Sequence, residues 1–479
     1  MNAHAKNEIT LGFVTLLIGI SAAAVIHWLI LALRIPVLDA FPDWKYKLQP
    51  IPVFHAWIAL AFVIFVAAIS VSFSRLDNRL KIAALILLGA ALQFSFAYSK
   101  GHGLDGIRDR MVTLGHAEFA NVAAEQTDTL SALLNYETLA KKKLYGHIPS
   151  KPPGTLLFYM LTERASHALW NGSTIVERGG DLRTFASLTW PFVSYLVLIP
   201  LFFLARELTG SIETAILTCL TYIAIPSITL ITLHTDQVIY PFLTVLSVLL
   251  AVFAVRRYNL WLAFLCGIAT YTAVYFSFGL AVAVFLFPVP LFFMNEKGAP
   301  RSPASTLKLI LGMSVGWILA DRLAAIALNY DFFLRYKLAI EHHADWKAWE
   351  YTLGTVLRFG LTNIAEFSAW IGLPLAIMFF VCLSVAVYQL INRRFNTSTI
   401  YTAALTGIFI FLLAFGKTKG ETARLWIFLV PFICISTANF IQTRSWSSRS
   451  KLLFFIMVLL LEFGTTYFTL HYQDFSSPQ

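Results

Sequence analysis

The fold that this sequence predicts is an all-α, multi-spanning membrane protein, and three observations predict it. Of 479 residues, 58% are hydrophobic and 13% charged, with a mean hydropathy of +0.70. A soluble globule of this length needs far more polar surface to cover itself. The apolar residues also fall in long runs, near the roughly twenty that a helix needs to cross a bilayer. Finally, Lys and Arg gather in short connections between those runs, as cytoplasmic loops do.

Taken in order, the runs predict about thirteen spans, near 10–33, 52–74, 80–98, 184–205, 212–233, 237–255, 259–275, 277–294, 306–328, 366–391, 399–415, 425–442 and 452–470. The first run is too long for a signal-peptide core and ends at Arg34 without a small-residue cleavage pattern, so it is expected to stay as a span. With the N-terminus in the cytoplasm, the inner loops carry Arg75/Arg79/Lys81, Arg206, Arg256/Arg257, Lys297/Arg301/Lys308, Arg393/Arg394 and Arg444/Arg449/Lys451. The alternation holds if 155–170 does not cross. That piece contains Glu163, Arg164 and His167, costly at a bilayer centre, and is expected to lie along the outer interface.

This topology divides the chain into a three-span segment (1–98), an outer loop (99–183) and a ten-span core (184–479). About fifty polar residues between Ser99 and Gly154 are too many for a connector, and long loops usually carry function. Three more polar segments share the outer face: 234–237, 329–365 and 416–424. The excess of 36 Lys and Arg over 26 Asp and Glu reports inner loops and anionic headgroups, and no basic patch with interleaved aromatics points to nucleic acid. Cys219, Cys266, Cys382 and Cys434 all sit in apolar runs without metal-ligand spacing.

Within the outer loop, Glu118 opens a short helix running to Glu125. A carboxylate partly dehydrated near a membrane can serve as a general base; equally, it can be a solvated charge favoured by the helix dipole. Asp105 and Asp109 are four apart beside Arg108 and Arg110, either a second carboxylate site or a surface ion-pair cluster. In Lys151-Pro152-Pro153-Gly154 two prolines stiffen the backbone and fix where Lys151 and His147 point. A Lys held as a point charge suits a phosphate, although proline there can simply start the helix. Lys141, Lys142 and Lys143 form a headgroup-binding patch.

Asp236 follows His234 at the mouth of a span, as a helix cap or as a functional pair. Glu341-His342-His343-Ala344-Asp345 has the composition of a metal site without helical two-His spacing, so a substrate contact is the better expectation. Glu421 and Arg424 are one turn apart, either an interfacial ion pair or a guanidinium oriented toward a phosphate or sugar, with Lys417 nearby.

The order of these features resembles the C-type glycosyltransferase (GT-C) superfamily. Glu118-Phe119 in the first large outer loop, an amphipathic stretch, Lys151-Pro152-Pro153 opening an interfacial helix and Asp236 at the next outer turn are most similar to bacterial aminoarabinose-to-lipid A transferases and to protein O-mannosyltransferase-like enzymes. Gly420-Glu421-Thr422-Ala423-Arg424-Leu425-Trp426 resembles a late-helix motif of prokaryotic members. The resemblance implies a GT-C-like fold and an inverting transfer of a sugar from a polyprenyl-phosphate donor to a hydroxyl of a glycan, lipid or protein acceptor. The active site would face the outside or periplasm of a prokaryotic plasma membrane. By motif, Glu118 takes the place of the catalytic carboxylate, Lys151 that of the lysine near the donor phosphate, and Asp236 that of the next outer acid. Typical members have one span before the catalytic loop, against three here, and commonly use Asp, which leaves Glu118 and Asp109 both as candidate bases.

Substrate contacts are expected from Lys151, His147, His116, His234, Lys417, Glu421 and Arg424, and a divalent cation held by Asp and Glu near a phosphate is an open expectation. The alternative is a transporter or lipid-linked-sugar flippase. Such proteins place ionisable residues near the bilayer middle, where this chain has few, Asp321/Arg322 and Glu366 being the nearest cases, and it lacks an evident repeat of halves.

Overall fold

A computed structural model of the chain describes residues 3–37, 41, 44, 46–113, 117–143, 148–231, 236–292, 302–347, 351–394, 396–415, 418 and 420–474. It divides into two compact units, one of Met1–Gly101, Leu201–Thr232 and Thr352–Gln479, the other of His102–Pro200 and Leu233–Tyr351. Helices α1 (Ala3–Ala32), α2 (His55–Phe73) and α3 (Asn78–Ser99) open the first unit. The second begins with α4 (Gly103–Thr113), α5 (Ala117–Glu125), α6 (Thr129–Leu134), α7 (Tyr136–Lys143), α8 (Gly154–Trp170) and α9 (Ile175–Tyr195). After α10 (Leu198–Thr209) and α11 (Ile212–Ile223), it continues with α12 (Tyr240–Arg257), α13 (Leu260–Phe276), α14 (Pro303–Leu328) and α15 (Phe332–Lys347). The first unit closes with α16 (Leu353–Ile371), α17 (Leu373–Ile391), α18 (Thr397–Phe415), α19 (Thr422–Leu425), α20 (Val430–Thr443) and α21 (Ser448–Tyr472). One two-residue pairing accompanies them, β1 (Lys47–Leu48) antiparallel to β2 (Gln473–Asp474).

The chain is an all-α polytopic membrane protein. Among the described residues nine helical segments are long and apolar enough to cross a membrane, and four shorter apolar ones (Ile212–Ile223, Leu260–Phe276, Phe278–Leu291, Ile427–Thr443) fall on four other expected runs. Local causes shorten or split the runs. Pro226 follows the end of α11, and Ser227–Ile231 is a π turn, not the continuation expected to 233. Pro288 and Pro290 lie where Phe278–Leu286 and Val289–Phe292 form 3-10 turns. The run expected at 366–391 starts instead at Leu373, because Gly372 adopts φ +89 and separates α16 from α17. A Cβ at Gly372 would meet the Glu462 carboxylate at 1.7 Å, and Glu462 Oε1 accepts the Leu375 N–H at 2.8 Å. The buried acid of α21 therefore satisfies a donor in the first turn of α17.

In the first unit, Trp28 of α1 donates to Thr465 of α21 at 3.1 Å and stacks on Phe468. In the second, α13 and α14 meet along glycines. A Cβ at Gly267 would lie 1.9 Å from Met313 O, and one at Gly316 2.0 Å from Phe264 O. Gly312 and Gly316 are four residues apart, so the small-residue face of α14 lets the two backbones approach, as small residues do between membrane helices. Helix α8 packs on α5, α9 and α13. Its polar residues turn inward. Glu163 is 1% exposed and pairs with Arg178 of α9 at 2.6 Å and with Arg164 at 3.2 Å. Glu163, one of the residues that argue against a bilayer-centre position for this stretch, is thus paired inside protein.

Gly316→Val should lower the thermal unfolding midpoint of the detergent-solubilised protein, since overpacking costs about 1–3 kcal/mol or more where backbone must move. Gly407→Val, where a Cβ meets nothing within 4 Å, should leave it within experimental scatter.

Candidate functional site

In the second unit the site is built around the turn from 148 to 154. Gly154 is the first residue of α8, and a Cβ there would lie 2.4 Å from the carbonyl oxygen of Tyr275, so only glycine lets α8 start against the end of α13. Thr155 donates to Phe276 O at 3.1 Å and fixes that contact. Upstream, the turn is held by two side chains: Tyr136 donates to Lys151 O at 2.9 Å, and Arg335 of α15 donates to Pro149 O at 2.5 Å while pairing with Glu137 at 2.9 Å. Burial pushes the Tyr136 phenol above its ordinary range, partly offset by Arg335, so it remains a donor.

Held in this way, Lys151 reaches the 3-10 turn Asp236–Ile239. Its Nζ lies 3.0 Å from Asp236 Oδ2 and donates to Tyr240 Oη at 3.0 Å, and Tyr240 donates to the same Oδ2 at 2.5 Å. Asp236 is wholly buried and the Lys151 side chain 12% exposed. An ammonium, a phenol and a carboxylate thus form a closed triangle. In it Asp236 Oδ2 accepts from both the ammonium and the phenol.

Glu118 lies in the first turn of α5 and is half-buried. The next residue, Phe119, is fully buried and stacks on Tyr159 of α8 at 5.8 Å, which anchors that turn to the helix that Lys151 precedes. Asp109 is on α4, which packs against α9 and α5. Asp105 pairs with Arg108 at 3.0 Å on an exposed face, the surface-cluster alternative for that acid. The structure brings Lys151 and Asp236 into direct contact, and it sets Glu118 and Asp109 on helices of the same packed scaffold. His116, His147, His234 and Lys417 lie outside the described residues.

In the first unit Glu421 and Arg424 pair at 2.9 Å across α19. Glu421 has φ +63, a left-handed conformation unusual for a non-glycine, following Gly420 at φ +68. The polar face of α16 imposes it. Asn363 Oδ1 accepts the Gly420 N–H at 3.0 Å and its Nδ2 donates to Thr418 O at 2.8 Å. Thr422 donates to Asn363 O at 3.3 Å, and Glu366 Oε1 accepts the Ala423 N–H at 3.2 Å. Tyr46 donates to the same oxygen at 3.0 Å. Glu366 is wholly buried, and burial pushes its carboxyl up to about 7.

Several of these residues were not legible as site residues. Asn363 and Tyr46 carry no charge to mark them, and Glu366 read only as an acid near the membrane middle. Tyr240 did have a signal, since it lies one helical turn after Asp236. Glu341 pairs with Lys337 at 4.0 Å on the exposed face of α15. Among the described residues no group of three or more His, Cys, Asp or Glu converges as a cation site.

No protein-family model matches the chain, and no curated protein matches it. Among solved structures it is similar to the oligosaccharyltransferase AglB of Archaeoglobus fulgidus in complex with an inhibitory peptide and a dolichol-phosphate, at 11% identity and a TM-score of 0.42, over 81% of this chain and 55% of that one. The apo oligosaccharyltransferase of the same organism gives 12% identity and 0.42, over 81% and 56%. The chain spans just over half the length of these structures.

Asp236→Asn alone should destabilise the protein by about 3–5 kcal/mol, because it removes one partner of a buried ion pair. Lys151→Met with Asp236→Leu should recover most of that, as read by denaturant unfolding in detergent. Glu366 predicts a pH dependence. Between the ordinary 4.5 and about 7 the folded protein keeps a proton that the unfolded chain has lost. Stability from this group is therefore complete below 4.5, falls by roughly 3 kcal/mol as pH rises through 7, and is flat above. Glu366→Gln should abolish the fall in the unfolding midpoint across that window.

Proposed function

We propose that the chain is a membrane glycosyltransferase that moves a sugar, with inversion, from a polyprenyl-phosphate donor to an acceptor hydroxyl on the outer face of a prokaryotic plasma membrane. The observation that carries the proposal is the preset cation of the Lys-Pro-Pro-Gly turn, fixed by Asp236 and Tyr240. In the displacement the acceptor oxygen forms a bond to the anomeric carbon while the bond from that carbon to the phosphate oxygen breaks. The lipid phosphate leaves with the electron pair. An alcohol is a poor nucleophile, so its proton must pass to a carboxylate as the bond forms. Glu118 is assigned that role, with Asp109 as the alternative.

Negative charge grows on the departing phosphate, and a cation already oriented stabilises it without reorganisation. Lys151 has that role. Asp236 is then a positioning residue: its Oδ2 already accepts from an ammonium and a phenol, so it holds Lys151 in place. In the other unit Arg424, oriented by Glu421, is assigned to an anionic or sugar group. The donor's lipid belongs in the bilayer, which suits a site built where apolar spans begin.

The test is transfer from a panel of radiolabelled polyprenyl-phosphate sugars by the purified full chain in nanodiscs, with extracted envelope glycans, lipids and proteins as acceptors. Glu118→Gln should lower the rate by about 10²–10⁴-fold, the usual weight of a general base, with an unchanged unfolding midpoint. Lys151→Ala in an Asp236→Asn background, where both charges of that pair are removed together, should also be inactive. Near wild-type transfer by both variants, or no transfer from any donor by the wild type, overturns the assignment.

A further inference from the structure

A groove in the first unit is lined by none of the residues assigned above. It has a volume of about 780 Å³ and is lined by one stripe of α1 and one of α17. On α1 the stripe runs through Gly12, Leu16 and Gly19, and on α17 through Ile377, Val381 and Val385. Spacings of three and four keep each stripe on a single helix face. A Cβ built on Gly12 or Gly19 meets nothing within 4 Å, and both positions are exposed. These glycines therefore do not serve close helix packing, unlike Gly267 and Gly316.

The groove has a polar end. Gly12 begins one apolar span, and Arg444 directly follows another apolar segment, Ile427–Thr443. Arg444 lines the groove there, its guanidinium 3.7 Å from the centre of the Phe440 ring. The Nε of Arg444 is buried and has no hydrogen-bond partner among the described residues. Trp446 lines the same end and packs edge-on against Phe13 at 5.1 Å, as interfacial tryptophans do.

The stripes, exposed at Gly12 and Gly19 and half-buried at Leu16, Ile377, Val381 and Val385, belong to segments suited to a bilayer, so the medium that meets them is acyl chain. A ligand complementary to the whole groove is apolar along most of its length and anionic at one end. We propose that this groove binds one anionic glycerophospholipid of the surrounding bilayer, with an acyl chain between α1 and α17 and its phosphate on Arg444. The site is independent of the Lys151 and Asp236 assignment.

The experiment titrates the purified full chain in detergent with phosphatidylglycerol or phosphatidylcholine and counts retained lipid by native mass spectrometry. Wild type should hold one phosphatidylglycerol in preference to phosphatidylcholine by about fivefold, the weight of one basic residue at an anionic surface. Arg444→Gln should abolish the preference and Arg444→Lys should keep it. Gly19→Leu fills the groove at an exposed position without displacing protein atoms, and should weaken retention of both lipids. Equal retention of the two lipids by the wild type, undiminished retention by Gly19→Leu, or displacement of the lipid by inorganic phosphate overturns the proposal.

Discussion

Asp236 is a carboxylate with no exposed surface in a unit made mainly of apolar helices, and it is tolerated because Lys151 and Tyr240 reach it. Much of the second unit's geometry follows from that requirement. For Lys151 to arrive, the turn before α8 must stop against the end of α13, which leaves no room for a side chain at 154. The turn must also resist being pulled away, and Tyr136 and Arg335 tie its backbone from α7 and α15. An ion pair buried in a low-dielectric interior contributes little net stability, yet losing one partner is severe. The arrangement is thus poorly explained by stability alone, and better explained by a need to hold one ammonium in one place.

The first unit solves the same problem by a different route. The Oε1 of Glu366 is met by a phenol and a backbone N–H in place of a cation, and its carboxyl rises toward neutrality. Glu462 also meets a backbone donor, the Leu375 N–H in the first turn of α17. Where a charge would be costly, these acids act as hydrogen-bond partners for backbone that is otherwise unsatisfied. The result at 418–424 is a turn held in a left-handed conformation that no local preference of glutamate would select. Such strain persists only where surrounding contacts over-determine it, and Asn363 and Glu366 provide those contacts one helical turn apart.

What the sequence made legible was set by the range of each interaction. Spans were readable because twenty consecutive apolar residues have one physical explanation, and their breaks sit at Pro226, Gly372 and the Pro288/Pro290 pair. Lys151 and Asp236 were each singled out from local chemistry, but their pairing was not, because 85 residues separate them and any of several outer cations satisfied the same charge argument. The inward turn of Glu163 was hidden for a related reason. A polar stripe on a helix signals water or a buried partner equally well, and Arg178 lies fifteen residues downstream on the next helix. Glu366 stood out only as one of the few acids near the bilayer middle, because two of its hydrogen-bond donors, Tyr46 and the Ala423 N–H, come from distant parts of the chain.

The pairing of Lys151 bears on how it would act in the proposed reaction. A lone lysine binds a phosphate strongly before any bond changes, which lowers the energy of the bound donor as much as that of the transition state and so adds nothing to the chemical step. With Asp236 at 3.0 Å the pair is neutral overall, and its pull on the resting phosphodiester is weakened. The attraction grows as the leaving oxygen gathers charge, when a nearby, already oriented ammonium gains most. Tyr240 adds to this by tethering the same ammonium, so little conformational freedom is left to lose. In the proposed reaction a buried counter-ion beside Lys151 would therefore shift its contribution from ground-state affinity toward transition-state stabilisation.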